Sequence, residues 1–188
     1  MKVYQHNTYE EYVEAQTVCN KAKVSWVYAH PSIIETISKD KKEAKFIICH
    51  GTRNGAEQKF FQKHFPNAYI IGTEISDNAW QFEMTVQHDF SIEKKEWVGK
   101  ADIVYSNSFD HTNDPQKTIL TWKDQLSPTG KIYMEYNEGD SVCEPADCLD
   151  ARESEVIELI EKSGLNITNR FRGSKGSTVL VCERKDND

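Results

Sequence analysis

The sequence lacks any long apolar run: no stretch of its 188 residues approaches the ~20 apolar residues that a membrane-spanning helix needs. It also lacks the pattern of a secretory signal, because residues 1–7 contain neither an apolar core nor a small-residue cleavage site. We therefore expect a cytoplasmic protein without a membrane partner, whose cysteines stay reduced.

Closely spaced cysteine pairs are also missing. The five cysteines are scattered, and none of their spacings is the CxxC of a zinc site. The nearest pair, Cys143 and Cys148, has no second ligand pair close by, so two loop thiols are favoured over metal ligands. The sequence predicts free thiols and no metal site.

Positive charge is in the minority, with 23 Lys and Arg against 30 Asp and Glu and a net charge of −7. A protein that binds nucleic acid mainly through the phosphates carries a surplus of positive charge. Nucleic acid is therefore disfavoured as a partner, and a small-molecule substrate is favoured. The 38% hydrophobic content excludes an intrinsically disordered chain, and the length suits one core.

The first quarter of the chain favours helices. Residues 8–43 carry a helical spacing, and Pro31 opens a second helical stretch, so we expect residues 1–44 to form a helical extension packed on the core. The residues at this spacing are Tyr9, Tyr12, Val13, Gln16, Trp26, Val27, Ile33, Ile34 and Ile37.

From residue 45 onwards, strands alternate with helices, which predicts a mostly parallel sheet in one domain of residues 45–188. Strands are predicted at 45–49, 69–73, 85–88, 102–106 and 131–136, and helices at 55–64, 77–84, 115–125 and 153–163. A charged, helical connection is expected up to Trp97. The last two strands, 165–171 and 177–183, follow each other without a helix and predict an antiparallel hairpin.

The turn after the first predicted strand, residues 49–55, is a candidate ligand site. Gly51 and Gly55 let its backbone bend sharply and approach a ligand, and the following helix presents its positive end there. A purely structural turn explains two glycines nearly as well. About 20 residues later, the second strand ends in Glu74, at the position where a carboxylate accepts hydrogen bonds from both ribose hydroxyls.

A second acid, Asp89, follows the third strand. It is placed to accept a hydrogen bond from an adenine amino group, while Phe90 covers the ring. Taken alone, Asp89 is more typical of an ordinary turn residue.

With these elements in this order, the chain resembles the class I S-adenosylmethionine-dependent methyltransferases across about residues 45–183. The segment 125–133, with Leu126, Pro128 and Gly130, is similar to the turn that leads into strand five of that family. The resemblance implies an α/β, Rossmann-like three-layer sandwich with a seven-stranded sheet of order 3-2-1-4-5-7-6 and an antiparallel strand seven. It also implies S-adenosyl-L-methionine as cofactor, held by His50, Gly51, Thr52, Arg53, Asn54, Gly55, Glu74, Ile75, Asp89, Phe90, Ser106 and Asn107.

Two residues depart from the family pattern. Cys49 stands where the family usually has an acid, and Arg53 replaces the central glycine of the loop. Arg53 either pairs with the carboxylate of the cofactor or reaches an acid such as Glu57. His50 either lines the pocket or caps the strand end.

Methyl transfer from a sulfonium is an in-line displacement that needs alignment and, for a hydroxyl acceptor, a base. The loop after strand four carries His111 as the candidate base, with Asp110 beside it. The same loop could instead hold the substrate through Asn107, Ser108 and Asp110, with Phe109 as an apolar wall. The acidic stretch 138–150 either shapes the acceptor pocket or is a solvated loop.

Two other functions fit parts of this pattern. A nicotinamide-dependent oxidoreductase shares the doubly wound sheet, but the G-x-G-x-x-G motif is absent from the sequence. A catalytically silent binding or interaction module is consistent with Cys49 and Arg53 in the loop.

Overall fold

The computed structural model describes residues 1–140 and 142–185. Ser141 of the 138–150 stretch and residues 186–188 of the predicted 45–188 domain lie outside the described residues. The elements, in chain order, are β1 (Lys2–Val3), α1 (Tyr9–Ala22), α2 (Pro31–Asp40), β2 (Phe46–His50), α3 (Ala56–His64), β3 (Tyr69–Glu74), β4 (Thr85–Gln87), β5 (Ala101–Ser106), α4 (Pro115–Gln125), β6 (Leu126–Tyr136), β7 (Leu149–Asp150), α5 (Glu153–Lys162), β8 (Leu165–Arg172) and β9 (Thr178–Arg184).

The main sheet has seven strands in the order β4-β3-β2-β5-β6-β9-β8. Neighbours from β4 to β6 pair in parallel, and β9 is antiparallel to both β6 and β8. The predicted sheet order and closing hairpin are therefore confirmed. A second, two-stranded sheet of β1 and β7 was not predicted, because two-residue strands leave no readable alternation.

Apolar residues cover both faces of the sheet, as a central parallel sheet requires. Ile48 and Val104 face one layer, which contains Trp122 of α4 and Val156 and Ile160 of α5. The adjacent residues in the two strands, Ile47 and Ile103, face the other layer, where α2 and α3 contribute Ile34, Ile37 and Phe61. The predicted three-layer sandwich is confirmed.

The predicted helical stretch 8–43 is interrupted. α1 ends at Ala22 and α2 begins at Pro31. His30 caps the N-terminus of α2, where its ring accepts a hydrogen bond from the Ser32 N–H. Trp26 and Val27 lie in the non-helical segment and are about half exposed, so their helical spacing was misleading. Proline disfavours a helical conformation in the residue before it, so α2 begins at Pro31 and does not extend back to His30.

The predicted helix at 77–84 is wrong. Only a 3₁₀ turn at Ala79–Gln81 forms, and Met84 adopts a left-handed φ of +56° before the chain enters β4. The connection up to Trp97 is likewise a single 3₁₀ turn, Lys95–Trp97. Asp77 and Asn78 compete with the backbone for hydrogen bonds, and Asn78 instead donates to Asn20 of α1 at 2.9 Å. Within the described residues, every helix falls short of the length and apolarity of a membrane-spanning segment.

Candidate functional site

Two adjoining cavities lie where β2, β3 and β5 end, at the edge of the sheet that binds ligands in open α/β folds. The larger has a volume of about 400 Å³ and the smaller about 40 Å³. Four residues border both: Gly51, Arg53, Ser108 and His111. Of the predicted cofactor residues, the larger cavity is also lined by Thr52, Asn54 and Asn107, and the smaller by Glu74, Ile75, Asp89 and Phe90.

The loop between β2 and α3 is built from left-handed backbone. Gly51, Arg53 and Gly55 have φ values of +69°, +46° and +74°. A side chain at Gly51 would lie 2.6 Å from Cβ of Ser108, so only glycine fits this contact. The Thr52 N–H donates to the Thr73 carbonyl at 3.0 Å, which ties the loop to β3.

Glu74 at the end of β3 is 7% exposed and fixed from two sides. The Arg53 N–H donates to Oε2 at 3.0 Å, and the Ser76 N–H donates to Oε1 at 2.9 Å. Each carboxylate oxygen keeps a second acceptor site. The side chain is therefore held in one orientation at the border of the smaller cavity, with capacity for two further donors.

Asp89 is also buried and oriented. Its Oδ1 accepts from the Ser91 N–H at 2.8 Å, and its Oδ2 accepts from the Tyr9 hydroxyl at 3.1 Å. Burial and the Asp89 charge raise the pKa of the Tyr9 phenol, which therefore remains the donor. Because Tyr12 also donates to the His111 carbonyl at 3.2 Å, α1 lies across the smaller cavity.

The guanidinium of Arg53 lies over the Tyr28 ring, 4.9 Å from its centroid, and Lys175 lies 5.0 Å from the same ring. Both are cation–π distances. Arg53 and Glu57, both described by the structure, form no ion pair within 4.0 Å, so the alternative of a direct Arg53–Glu57 bridge is not realised. Asn54 holds the segment that carries Tyr28, donating to the Val24 and Trp26 carbonyls at 2.8 and 3.1 Å.

His50 is not a pocket residue, which corrects the expectation that its side chain lines the site. Its ring is 1% exposed, stacks on Trp122 at 5.1 Å, and contacts the Thr73 hydroxyl at 3.0 Å and Oε1 of Gln125 at 2.8 Å. Burial lowers the pKa of His50 to about 3, so the ring is neutral. Strand alternation places it on the Ile48 face, towards α4.

Two other predicted cofactor residues also lie outside both cavities. Ser106 is fully buried and donates from Oγ to the His50 carbonyl at 3.1 Å, while it accepts from the Ser108 N–H at 3.1 Å. Gly55 is the left-handed N-cap of α3. Both residues shape the backbone of the site and line neither cavity.

His111 borders both cavities, at the end of the 3₁₀ turn Phe109–His111. Its Nδ1 lies 2.8 Å from the Ala146 carbonyl and 3.4 Å from Oδ1 of Asp147. A carbonyl only accepts, so Nδ1 carries the proton in the neutral ring and Nε2 keeps the free lone pair. This is the tautomer that a base at Nε2 requires.

Asp110, His111 and Asp147 are close enough to share a cation, since one ligand atom from each lies within 4.8 Å of the others. Sequence spacing did not indicate this group, because Asp147 is brought in by the fold. The two cysteines singled out earlier are not part of it. Burial raises the pKa of Cys148 to about 12, and its thiol donates to the Pro145 carbonyl.

Two buried acids at the larger cavity were missed as site residues. Glu135, at the end of β6, accepts from the Tyr105 hydroxyl, the Ser174 N–H and hydroxyl, and the Ser177 hydroxyl, at 2.6–3.0 Å. Glu57, in the first turn of α3, is 5% exposed. Burial raises the pKa of Glu57 to about 8, although the Arg53 charge opposes this rise. Only its position at the end of the predicted strand 131–136 could have indicated Glu135.

No protein-family model matches the chain, and no curated protein matches its sequence. Solved structures are similar to the chain in their fold. The Burkholderia thailandensis 1,6-didemethyltoxoflavin-N1-methyltransferase, with bound 1,6-didemethyltoxoflavin and S-adenosylhomocysteine, is 12% identical with a TM-score of 0.76 over 97% of this chain and 92% of that one.

Two further structures are similar over most of their length. A TehB-like SAM-dependent methyltransferase from Corynebacterium glutamicum is 15% identical, with a TM-score of 0.65 over 94% of this chain and 98% of that one. A SAM-dependent methyltransferase from Aquifex aeolicus is 13% identical, with a TM-score of 0.60 over 81% and 97%. The chain thus has the Rossmann-like fold of the class I methyltransferases.

Proposed function

We propose that this chain is a methyltransferase that binds S-adenosyl-L-methionine across the two cavities and methylates a small molecule. The observation that carries the proposal is the preset Glu74 carboxylate, which both flanking loops orient towards the smaller cavity. A ribose offers two adjacent hydroxyl donors, and the two oxygens of Glu74 offer the two matching acceptors. Residues 1–44 are proposed to be an extension of this domain, with α1 as the cover of the nucleoside.

The remaining residues of the smaller cavity suit an adenine. Asp89 presents a buried carboxylate to an exocyclic amino group, and Phe90 and Ile75 supply apolar contact to the ring. We place the amino-acid end of the cofactor in the larger cavity, beyond the loop of Gly51 and Arg53, since that loop borders both spaces.

The larger cavity, at about 400 Å³, is within the range of sites that hold small molecules. The toxoflavin-precursor enzyme, which shares the fold, carries a bound small molecule. In our proposal the acceptor enters beside Asn107, Asp110 and His111, all of which line this cavity.

When bound, the cofactor supplies the electrophilic methyl group. The protein's part is to align the acceptor and to exclude water. For an acceptor with a hydroxyl, Nε2 of His111 takes the proton, while the Ala146 carbonyl and Asp147 hold Nδ1–H and stabilise the charged ring.

Thermal unfolding with S-adenosylhomocysteine and with NADH tests this proposal. Because a ligand that binds only the folded state stabilises it by about 2.7 kcal/mol at 100 times Kd, the first compound should raise Tm and NADH should not. A flat response to S-adenosylhomocysteine would reject the proposal, and a response to NADH alone would favour an oxidoreductase. Binding without S-adenosylhomocysteine release from any acceptor screened would favour the silent module.

A further inference from the structure

Glu57, which lines the larger cavity, carries a buried group that is not hydrogen-bonded. Its side chain lines that cavity and is 5% exposed, and its Oε2 is buried without a hydrogen-bond partner. Among the described residues, this is the only buried carboxylate oxygen left in that state. A buried polar group without a partner is costly, so the arrangement calls for a donor from outside the protein.

The other acids around Glu57 are already engaged. The charges of Glu74 from β3 and Glu135 from β6 both act on Glu57 and favour its neutral form. Glu135 already accepts four hydrogen bonds, and Glu74 is oriented by two backbone amides towards the smaller cavity. Of these three neighbouring acids, Glu57 is therefore the one that keeps a buried carboxylate oxygen without a donor at the larger cavity.

We propose that Glu57 binds the α-ammonium group at the amino-acid end of S-adenosyl-L-methionine, while Arg53 binds its α-carboxylate. This assignment rests on the proposed function. An amino-acid zwitterion needs one anion and one cation within a few ångströms. Arg53 lies in the loop before α3 and Glu57 in the first turn of α3, and both line the same cavity.

Arg53 is positioned to serve as the second half of the pair. The positive charge of Arg53 opposes the rise in the pKa of Glu57, so the two groups interact electrostatically, although they form no ion pair within 4.0 Å. The ammonium and carboxylate groups of the ligand would thus pair with Glu57 and Arg53 respectively, two residues that do not form an ion pair with each other.

Cys49 occupies the strand-end position where the class I methyltransferases usually have an acid, whereas Glu57 lies on the following helix. Cys49 is fully buried near Glu57. Burial, and to a smaller extent the charge of Glu57, raises the pKa of the Cys49 thiol well above its usual range. A neutral thiol cannot hold an ammonium group. The negative charge that is absent from the end of β2 would instead come from the first turn of α3, where a bound ammonium group would stabilise the ionised form of Glu57.

Calorimetric titration with two ligands tests the assignment. S-adenosylhomocysteine contains the amino-acid end, whereas 5′-methylthioadenosine contains only the nucleoside and thioether. Glu57→Gln keeps the shape of the side chain but removes its charge. We expect it to weaken S-adenosylhomocysteine binding by about 10- to 100-fold and to leave methylthioadenosine within about twofold. Glu43→Gln, at an exposed acid, is the matched control and should change neither affinity.

The outcomes separate the two proposals. Equal losses for both ligands, or no loss for S-adenosylhomocysteine, would overturn the role of Glu57 while leaving cofactor binding intact. Failure of the unmodified protein to bind either ligand would overturn the proposed function and this assignment with it. Retained methylthioadenosine binding also demonstrates that the Glu57→Gln variant is folded.

Discussion

The backbone N–H of Arg53 donates to Oε2 of Glu74 at 3.0 Å, across 21 residues of sequence. This bond joins the loop after β2, which borders both cavities, to the end of β3, which borders the smaller one. Since the Ser76 N–H holds the other oxygen at 2.9 Å, the carboxylate is oriented before any ligand arrives. A preset acceptor reduces the ordering cost of binding.

Replacement of Glu74 should affect both binding and folding. Glu74→Gln retains one acceptor oxygen but turns an amide group towards a backbone N–H. We expect about a 10- to 100-fold loss of S-adenosylhomocysteine affinity and a loss of ~1–3 kcal/mol in the free energy of unfolding. Calorimetry and urea unfolding measure the two effects. Unchanged affinity would show that the nucleoside does not lie at Glu74.

Asp89 should act on the adenine alone. In Asp89→Asn the side chain no longer offers two equivalent acceptor oxygens, so both S-adenosylhomocysteine and methylthioadenosine should bind about 10-fold more weakly. The inosine analogue of methylthioadenosine lacks the amino group, and its affinity should not change. Competition titration compares the three ligands. An equal loss for the inosine analogue would assign Asp89 to the fold instead.

His111→Gln should separate chemistry from binding. With an acceptor that carries a hydroxyl, the rate of methyl transfer should fall by about 10²- to 10⁴-fold, since the base at Nε2 is lost. The introduced amide can still donate to the Ala146 carbonyl, so the Kd for S-adenosylhomocysteine should stay within about threefold. Single-turnover rates and calorimetry give the two values. A full rate in the His111→Gln variant would remove His111 from the mechanism.

His50 should make the protein sensitive to acid. Its pKa is lowered from 6.5 to about 3 in the folded state, so the unfolded chain binds the extra proton first. This contribution to stability is present above pH 6.5 and is lost as the pH falls towards 3. Between pH 6.5 and 3, the free energy of unfolding of the unmodified protein should fall more steeply than that of His50→Gln. The difference between the two slopes should be up to ~1.4 kcal/mol per pH unit. Urea unfolding at several pH values, with the exposed His64→Gln as control, measures the slope; an unchanged slope would contradict a neutral, buried His50.

Glu57 should change the pH dependence of stability in the opposite direction to His50. Its pKa is raised from 4.5 to about 8 in the folded state, so the folded chain binds the extra proton. Stability should therefore decline as the pH rises from 4.5 to 8, and Glu57→Gln should remove this decline. The same unfolding series, with Glu43→Gln as control, shows the difference. A Glu57→Gln variant that follows the unmodified protein at every pH would contradict the buried, unpaired carboxyl.

The positions of the central strands were predictable because each is short, apolar and bounded by turn residues, whereas their order in the sheet was implied by the resemblance to the class I methyltransferases. Where the prediction was wrong, tertiary contacts decided. Residues 77–84 carry helix-compatible spacing, but Asn78 bonds to α1 and the chain turns early into β4. Trp26 and Val27 have helical spacing from α1, yet they lie in a non-helical segment whose Val24 and Trp26 carbonyls accept hydrogen bonds from Asn54.

For the candidate site, the sequence indicated Gly51, Arg53, Glu74 and Asp89, because they follow strands that end at one edge of the sheet. It misplaced His50, whose direction depends on the strand register. It gave no indication of Tyr28 or Lys175, which reach Arg53 from segments far away in the chain. Contacts of that kind come from the packing of distant segments, which no local spacing records.

The position of α1 has a kinetic consequence. The smaller cavity has a volume of about 40 Å³, whereas small-molecule sites begin at about 300 Å³. A nucleoside that occupies the space beside Glu74 must first displace a 14-residue helix held by Tyr9, Tyr12 and Gln16. Helix displacements of this kind occur on microsecond to millisecond timescales. The observed association rate should then level off at high ligand concentration, at the frequency with which α1 opens, and the same motion limits how fast the spent nucleoside leaves.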